Sequence, residues 1–397
     1  MSHPQNQPTS HARRSLTGLQ SDSIMEVQSS SPPPTLNPLD RFRSWLFVRS
    51  GTALFLLTVA FFFFLRVGFS GNNAVPVGVV KTFPTPTTGS FSWSIISPAI
   101  GRVLGITTKA QWLALHGVLL LLVFAAVVLL LRQKLTQRSW RVALTWLSLS
   151  SAPAANLQWI GLYDLWMLLG GALLGLGSGL PTAVVGGLVL GASNAEQGVV
   201  ALLSLGFVLL AKLRGEGRQS EWKMMVLRLS AALFGLVVAR IAISLWFTAS
   251  GVEVTTRSGI FLGVLSDSLR NNITMGTTGI FGWFGLAWIA VILCLWGIRQ
   301  DRLGVGLVSI GLIGLPALVT ITTLDGTRVF ASISWPALLA MIVWRVTAEE
   351  ALPRNEQLLD QTASTALLAS PIAPSIVTHP RNYLQTPWSY VTGRFFS

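Results

Sequence analysis

The chain has 397 residues, 51% of them hydrophobic and 11% charged, with a mean hydropathy of +0.60 and a formal net charge of +13. That balance excludes an ordinary soluble domain, and because the cations flank apolar runs it points to a lipid bilayer and away from nucleic acid. A single cysteine (Cys294) and four histidines, of which His3, His11 and His379 lie in polar tails, exclude an internal disulfide and a zinc site built on cysteine or histidine.

Residues 1–44 are rich in Ser, Pro, Gln and Asn, including Ser31-Pro32-Pro33-Pro34, and read as a disordered tail with too little apolar surface to offset ordering. The first apolar run, 46–67, lacks a short basic leader and a small-residue cleavage site, so it reads as a retained helix. Further spans are expected at 111–131, 140–157, 163–177, 181–193, 198–213, 224–247, 277–298, 304–323 and 329–346. The fold class is therefore all-α: a polytopic transmembrane bundle of about nine or ten spans, some of them too short to cross a bilayer alone. The membrane domain occupies 45–346, with long loops at 68–110 and 248–276. The second half of the first loop and Ile260–Leu269 in the second have the spacing of amphipathic surface helices. Residues 347–397 read as a second, mostly disordered tail.

Lys and Arg gather in the 1–49 tail, at 132–141, 212–223 and 299–302, and after Arg345. Each cluster follows an even number of crossings, which is the positive-inside pattern of a protein of a plasma or inner membrane with both termini cytoplasmic. The acids outside those clusters are Asp164, Glu196, Glu253, Asp267 and Asp325. All map to the outer loops or the outer ends of helices. Between the spans, Pro153, Pro181 and the run Gly177-Ser178-Gly179 break the helices, and Gly171, Gly175 and Gly179 form a small-residue ladder suited to close helix contact.

Charge is costly at membrane depth, so the few outer ionisable groups are the candidates for chemistry. Asp164 stands in Ile160-Gly161-Leu162-Tyr163-Asp164, where it serves either as a helix cap or as a functional carboxylate. Asn156 and Gln158 add polar groups nearby. Asp325 and Arg328 share the turn Asp325-Gly326-Thr327-Arg328, as an ion pair or as a rim where a guanidinium fork meets phosphate or carboxylate. Arg240 lies in the outer half of a span and calls for an acidic partner. Asp267 and Arg270 are three apart, a helical pairing distance. Asn272-Ile273-Thr274 matches a glycosylation sequon. His116 reads as a hydrogen-bonded packing residue.

The layout resembles integral-membrane glycosyltransferases of the C-type (GT-C) fold, with many spans, a long first outer loop carrying a surface helix, short broken helices and an outward polar end. Ile160–Asp164 is similar to a helix-start acidic motif of some members, and Asp325–Arg328 to a late outer-turn arginine. The resemblance implies transfer of a sugar from a polyprenyl-phosphate carrier to an acceptor on the outer face. Asp164 would be the catalytic base or the ligand of a divalent metal, with Arg328, Arg240, Asp325, Asn156, Tyr163 and Arg270 around the substrate. The family's usual acid in the first outer loop is missing: 68–110 holds Lys81, Arg102 and Lys109 but no Asp or Glu. Two alternatives stay open, a transporter or flippase of an anionic or lipid-linked substrate, and a structural subunit of a membrane complex.

Overall fold

A chain this apolar must pair its backbone N–H and C=O groups internally, and every regular element among the described residues is helical. The computed structural model describes residues 37–67, 77–85, 94–251, 259, 262–323 and 325–373. Glu253, most of both expected tails and parts of both long loops lie outside the described residues. In chain order the helices are α1 (Pro38–Ser44), α2 (Thr52–Arg66), α3 (Val77–Thr82), α4 (Ile96–Val103), α5 (Lys109–Lys134), α6 (Gln137–Ser148), α7 (Ser151–Gln158), α8 (Asp164–Leu176), α9 (Leu180–Gly215), α10 (Trp222–Ala249), α11 (Leu265–Phe284), α12 (Trp288–Gly297), α13 (Arg302–Ser309), α14 (Leu315–Thr320), α15 (Gly326–Glu350) and α16 (Leu358–Ala369). Among the described residues, six segments are long and apolar enough to cross a membrane: α5, α9, α10, Gly279–Gly297, Arg302–Thr320 and α15. The chain is an all-α polytopic bundle of an integral membrane protein.

The longest helix is not straight. α9 has 36 residues, but Asn194 adopts φ −155° and ψ 90° in its middle. A Cβ on Gly198 would lie 3.1 Å from that of Leu190, whereas eight residues of continuous helix rise about 12 Å. The chain therefore reverses at Asn194, giving two arms, 180–193 and 195–215. Packing on α10 agrees. Gly187 and Gly191 of the first arm face Ala232 and Leu236, a parallel progression, while Gly198 and Gly206 of the second arm face Leu236 and Leu229, an antiparallel one. The expected segments 181–193 and 198–213 are these two arms. Gly187 and Gly191 have no room for a side chain against the α10 backbone.

Two ends of the bundle follow from its contacts. At the basic end, Arg228 of α10 donates to the carbonyls of Gly177 and Leu174 at the end of α8, and Arg214 pairs with Asp301 at 3.1 Å. The backbone N–H of Gly304, and after it Arg214, hold the Asp301 carboxyl below its ordinary range. At the opposite end, Arg240 pairs with Glu196 beside the Asn194 turn.

α15 is the central helix. Its side chains from Gly326 to Ile342 are all buried. The small-residue ladder packs here: Gly171 and Gly175 of α8 meet Trp335 and Pro336, and the Trp335 indole N–H donates to the Leu168 carbonyl at 3.0 Å. α8 and α15 thus run side by side in one direction.

Three local outcomes differ from the linear reading. The expected span 140–157 is two helices, α6 and α7, interrupted at Leu149–Ser150. Arg66 closes the first apolar run, where the sequence alone places it among lipid head groups, but it is buried against that break. It donates to the carbonyls of Leu149 (2.5 Å), Ser150 (3.0 Å) and Ser148 (3.3 Å), where α6 ends and α7 begins. Residues 354–373, placed by their polar composition in the second tail, form a 3₁₀ turn, α16 and a further 3₁₀ turn. Leu359 there accepts from the Trp146 indole, and its own N–H caps onto Glu349.

Candidate functional site at the starts of three helices

Asp164 is the first residue of α8, and Arg328 is the third residue of α15. Because those helices run parallel with their starts at the same level, the two side chains meet inside the bundle. The Arg328 guanidinium donates through Nη1 to Asp164 Oδ2 at 2.5 Å and through Nη2 to Asp325 Oδ2 at 2.9 Å. The Tyr163 ring lies 5.8 Å from the guanidinium carbon, within cation–π range. Asp164 is 2% exposed and Arg328 7%, while the Asp325 side chain is 33% exposed. The ion pair read from the short turn is therefore present, but it extends into a buried triad with Asp164 as the inner partner. Asp164 Oδ1 and Arg328 Nε remain without a hydrogen-bond partner.

The third helix start is the second arm of α9. Ser193 donates to the Tyr163 carbonyl at 3.1 Å, which ties the hairpin tip to the start of α8. Ala201 packs with Val329 and Ile333 of α15. Gln197, one turn before Ala201 on the same face, therefore stands level with the first turn of α15. Asn194 Oδ1 accepts from the Gln197 N–H at 3.2 Å, closing the start of the arm. The Asn194 Nδ2 and Gln197 Oε1 atoms are buried and without partners, as is Ser332 Oγ one turn below Arg328. The three helices start at one level and run in one direction, so their positive dipole ends face the same side, an arrangement that favours anions.

The other expected site residues are elsewhere. Asn156 is buried, and its amide donates to the Ala152 carbonyl of its own helix at 3.0 Å. Arg240 is drawn to Glu196 at 3.1 Å on the α10 side of the hairpin, because that acid is the nearer partner at its level. Arg270 is exposed on α11, and no ion pair joins it to Asp267 among the described residues. The Asn272 amide, the first residue of the sequon, donates to the carbonyls of Ser268 (2.9 Å), Thr323 (3.1 Å) and Ile321 (3.2 Å), so it clasps the end of α14. His116 is a buried packing residue: Nδ1 donates to the Trp112 carbonyl, leaving Nε2 to accept from Ser97, which also receives the Trp166 indole N–H.

Asn194, Gln197 and Ser332 are the polar residues at the site that the linear reading did not select. The signal was present in Ser193-Asn194-Ala195-Glu196-Gln197, a polar run between two short apolar segments. Its helix-start position, however, looks the same for a cap and for a lining residue.

As to metal, the triad offers two carboxylates, and no group of three or more His, Cys, Asp or Glu side chains suited to an ion occurs among the described residues. A divalent ion there would take its remaining ligands from substrate phosphate and water. Two larger cavities lie away from the triad. One, of about 370 Å³, is an apolar groove between the second arm of α9 and α10. The other, of about 310 Å³, sits at the basic end among Arg138, Glu349, Glu350 and Asp360. No family model, curated protein or solved structure matches the chain.

Proposed function

We propose that this chain is a membrane glycosyltransferase that moves a sugar from a polyprenyl-phosphate carrier to a hydroxyl acceptor at the end of the bundle holding the triad. The observation that carries the reading is a buried guanidinium shared by two carboxylates where three helices start. That constellation combines a permanent cation, a carboxylate with one free oxygen, and dipoles that favour a phosphate.

Each group has a defined task. Asp325, the more exposed partner, gives up its place on Arg328 to the incoming phosphate, which the guanidinium fork can meet with two donors. Asp164 keeps Oδ2 on Arg328 and offers Oδ1 to the acceptor hydroxyl. As the acceptor oxygen bonds to the sugar's anomeric carbon, its proton passes to Asp164 Oδ1. The bond from that carbon to the phosphate oxygen breaks with its electron pair. The leaving polyprenyl phosphate carries the new charge, which Arg328 and the helix starts stabilise. A divalent ion at the carboxylates would supply further charge neutralisation.

The basic end faces the cytoplasm in this reading and the triad faces outward, since the loops at 132–141, 212–223 and 299–302 carry the cations. With Cys294 replaced by Ser, a cysteine at the exposed Val103 should react with an impermeant thiol reagent added outside intact cells, and one at Ser220 should not. The reverse pattern would turn the molecule over.

The phosphate site itself is testable by binding. Polyprenyl phosphate should raise the melting temperature of the purified protein, and the matching polyprenol should not. Arg328→Lys should weaken that stabilisation about tenfold in ligand concentration, because a point charge replaces a planar fork. Equal stabilisation by alcohol and phosphate would remove the phosphate from the site.

A further inference from the structure

We infer that the α9 turn, through Asn194 and Gln197, recognises the hydroxyl groups of the transferred sugar and limits the donor to uncharged sugars. This rests on the glycosyl-transfer reading and names the part of the substrate that the triad does not touch.

Two buried amides at the turn have unmet hydrogen-bonding atoms. Buried amides are almost always hydrogen-bonded, since an unmet donor or acceptor loses its water contacts for nothing. Asn194 is 2% exposed and Gln197 4% exposed. The hydrogen bond from Gln197 N–H to Asn194 Oδ1 fixes the orientation of the Asn194 amide, so its two-proton donor Nδ2 is the end left unmet. Gln197 leaves an acceptor, Oε1, unmet. A donor and an acceptor three residues apart therefore lie on one helical start, at the level of the triad. A sugar hydroxyl both donates and accepts, so adjacent hydroxyls can satisfy both atoms at once.

The charge of the ligand follows from the surroundings. Both groups are neutral. The nearest charge on the same arm, Glu196, points to Arg240 and not into the bundle. Arg328 is committed to the phosphate and Asp164 to the acceptor. A uronic acid or an amino sugar would bring a second buried charge to a place with no counter-ion, a costly arrangement. The chain reversal at Asn194 also has a purpose here. An uninterrupted helix would have used the Gln197 N–H internally and would have sent residues 194 and 197 past the start of α15.

The test separates sugar recognition from phosphate binding. Asn194→Asp keeps the Oδ1 acceptor that closes the turn but replaces the amide donor. Gln197→Met keeps length and loses the acceptor. Full-length purified protein is titrated with polyprenyl phosphate and with its glucosyl and mannosyl esters, and melting temperature reports folding. For both variants the affinity for the glycosylated lipids should fall about tenfold or more, with affinity for the bare polyprenyl phosphate unchanged. A glucuronosyl ester should bind wild type at least about tenfold more weakly than the glucosyl ester. Equal losses for bare and glycosylated lipid would make the turn a structural element only, and no loss for either would place the amides outside the ligand. If wild type binds neither lipid form, the glycosyl-transfer reading and this inference fall together.

Discussion

Asp164→Asn should lower sugar transfer by about 10²-fold or more at equal folded amount, the range expected when an acid–base group is lost. Asparagine fills the same volume and still offers an oxygen to Arg328 Nη1, which lies 2.5 Å from the carboxylate. It cannot accept the acceptor's proton at the second oxygen. The binding of polyprenyl phosphate should survive, because the guanidinium remains and one opposing charge is gone. Loss of turnover with retained binding is therefore the signature. Unchanged turnover would reduce Asp164 to a counter-ion that holds Arg328 in place.

The second large effect concerns stability. Arg328→Met leaves Asp164 buried at a position 2% exposed without its cation. Removing one partner of a buried ion pair costs about 3–5 kcal/mol, mostly the penalty of the stranded charge. The variant should melt well below wild type, or fail to accumulate. The double variant Asp164→Asn/Arg328→Met should recover part of that loss, since the stranded charge is then removed as well. If Arg328→Met melts like wild type, the triad is not the electrostatic centre of this end of the bundle. Arg328→Lys, which keeps the charge, should fold and retain one of the two carboxylate contacts.

The helical class and the approximate spans were legible in the sequence because the bilayer imposes a coarse rule, namely long apolar runs between charged connectors. Asp164, Asp325 and Arg328 were legible one at a time, through the scarcity of charge where they stand. Their meeting was not, because Asp164 and Arg328 are 164 residues apart and only the parallel packing of α8 on α15 joins them. Arg240 illustrates the limit. Its need for one of the outer acids was legible, but which acid was not, and Glu196 on the hairpin tip is the one that pairs with it. The α9 reversal was legible as two short spans, but the buried amides of Asn194 and Gln197 were hidden by their resemblance to helix caps. Arg66 and α16 were missed for a shared reason. Each is polar in sequence and buried in the fold, Arg66 by its bonds to the broken α6–α7 carbonyls and α16 by packing of Leu359, Ala363 and Leu367.

The most direct measurement follows a labelled sugar. Purified protein in proteoliposomes is given a polyprenyl-phosphate donor carrying a radiolabelled neutral hexose, together with a mixture of hydroxyl acceptors. Label should leave the lipid, appear on an acceptor and release one free polyprenyl phosphate per sugar moved, and Asp164→Asn should slow this by about 10²-fold or more while binding the donor. Label that stays on the lipid throughout, or intact labelled donor that crosses from one leaflet to the other without losing its sugar, would contradict glycosyl transfer and assign the triad to transport or to holding the bundle together.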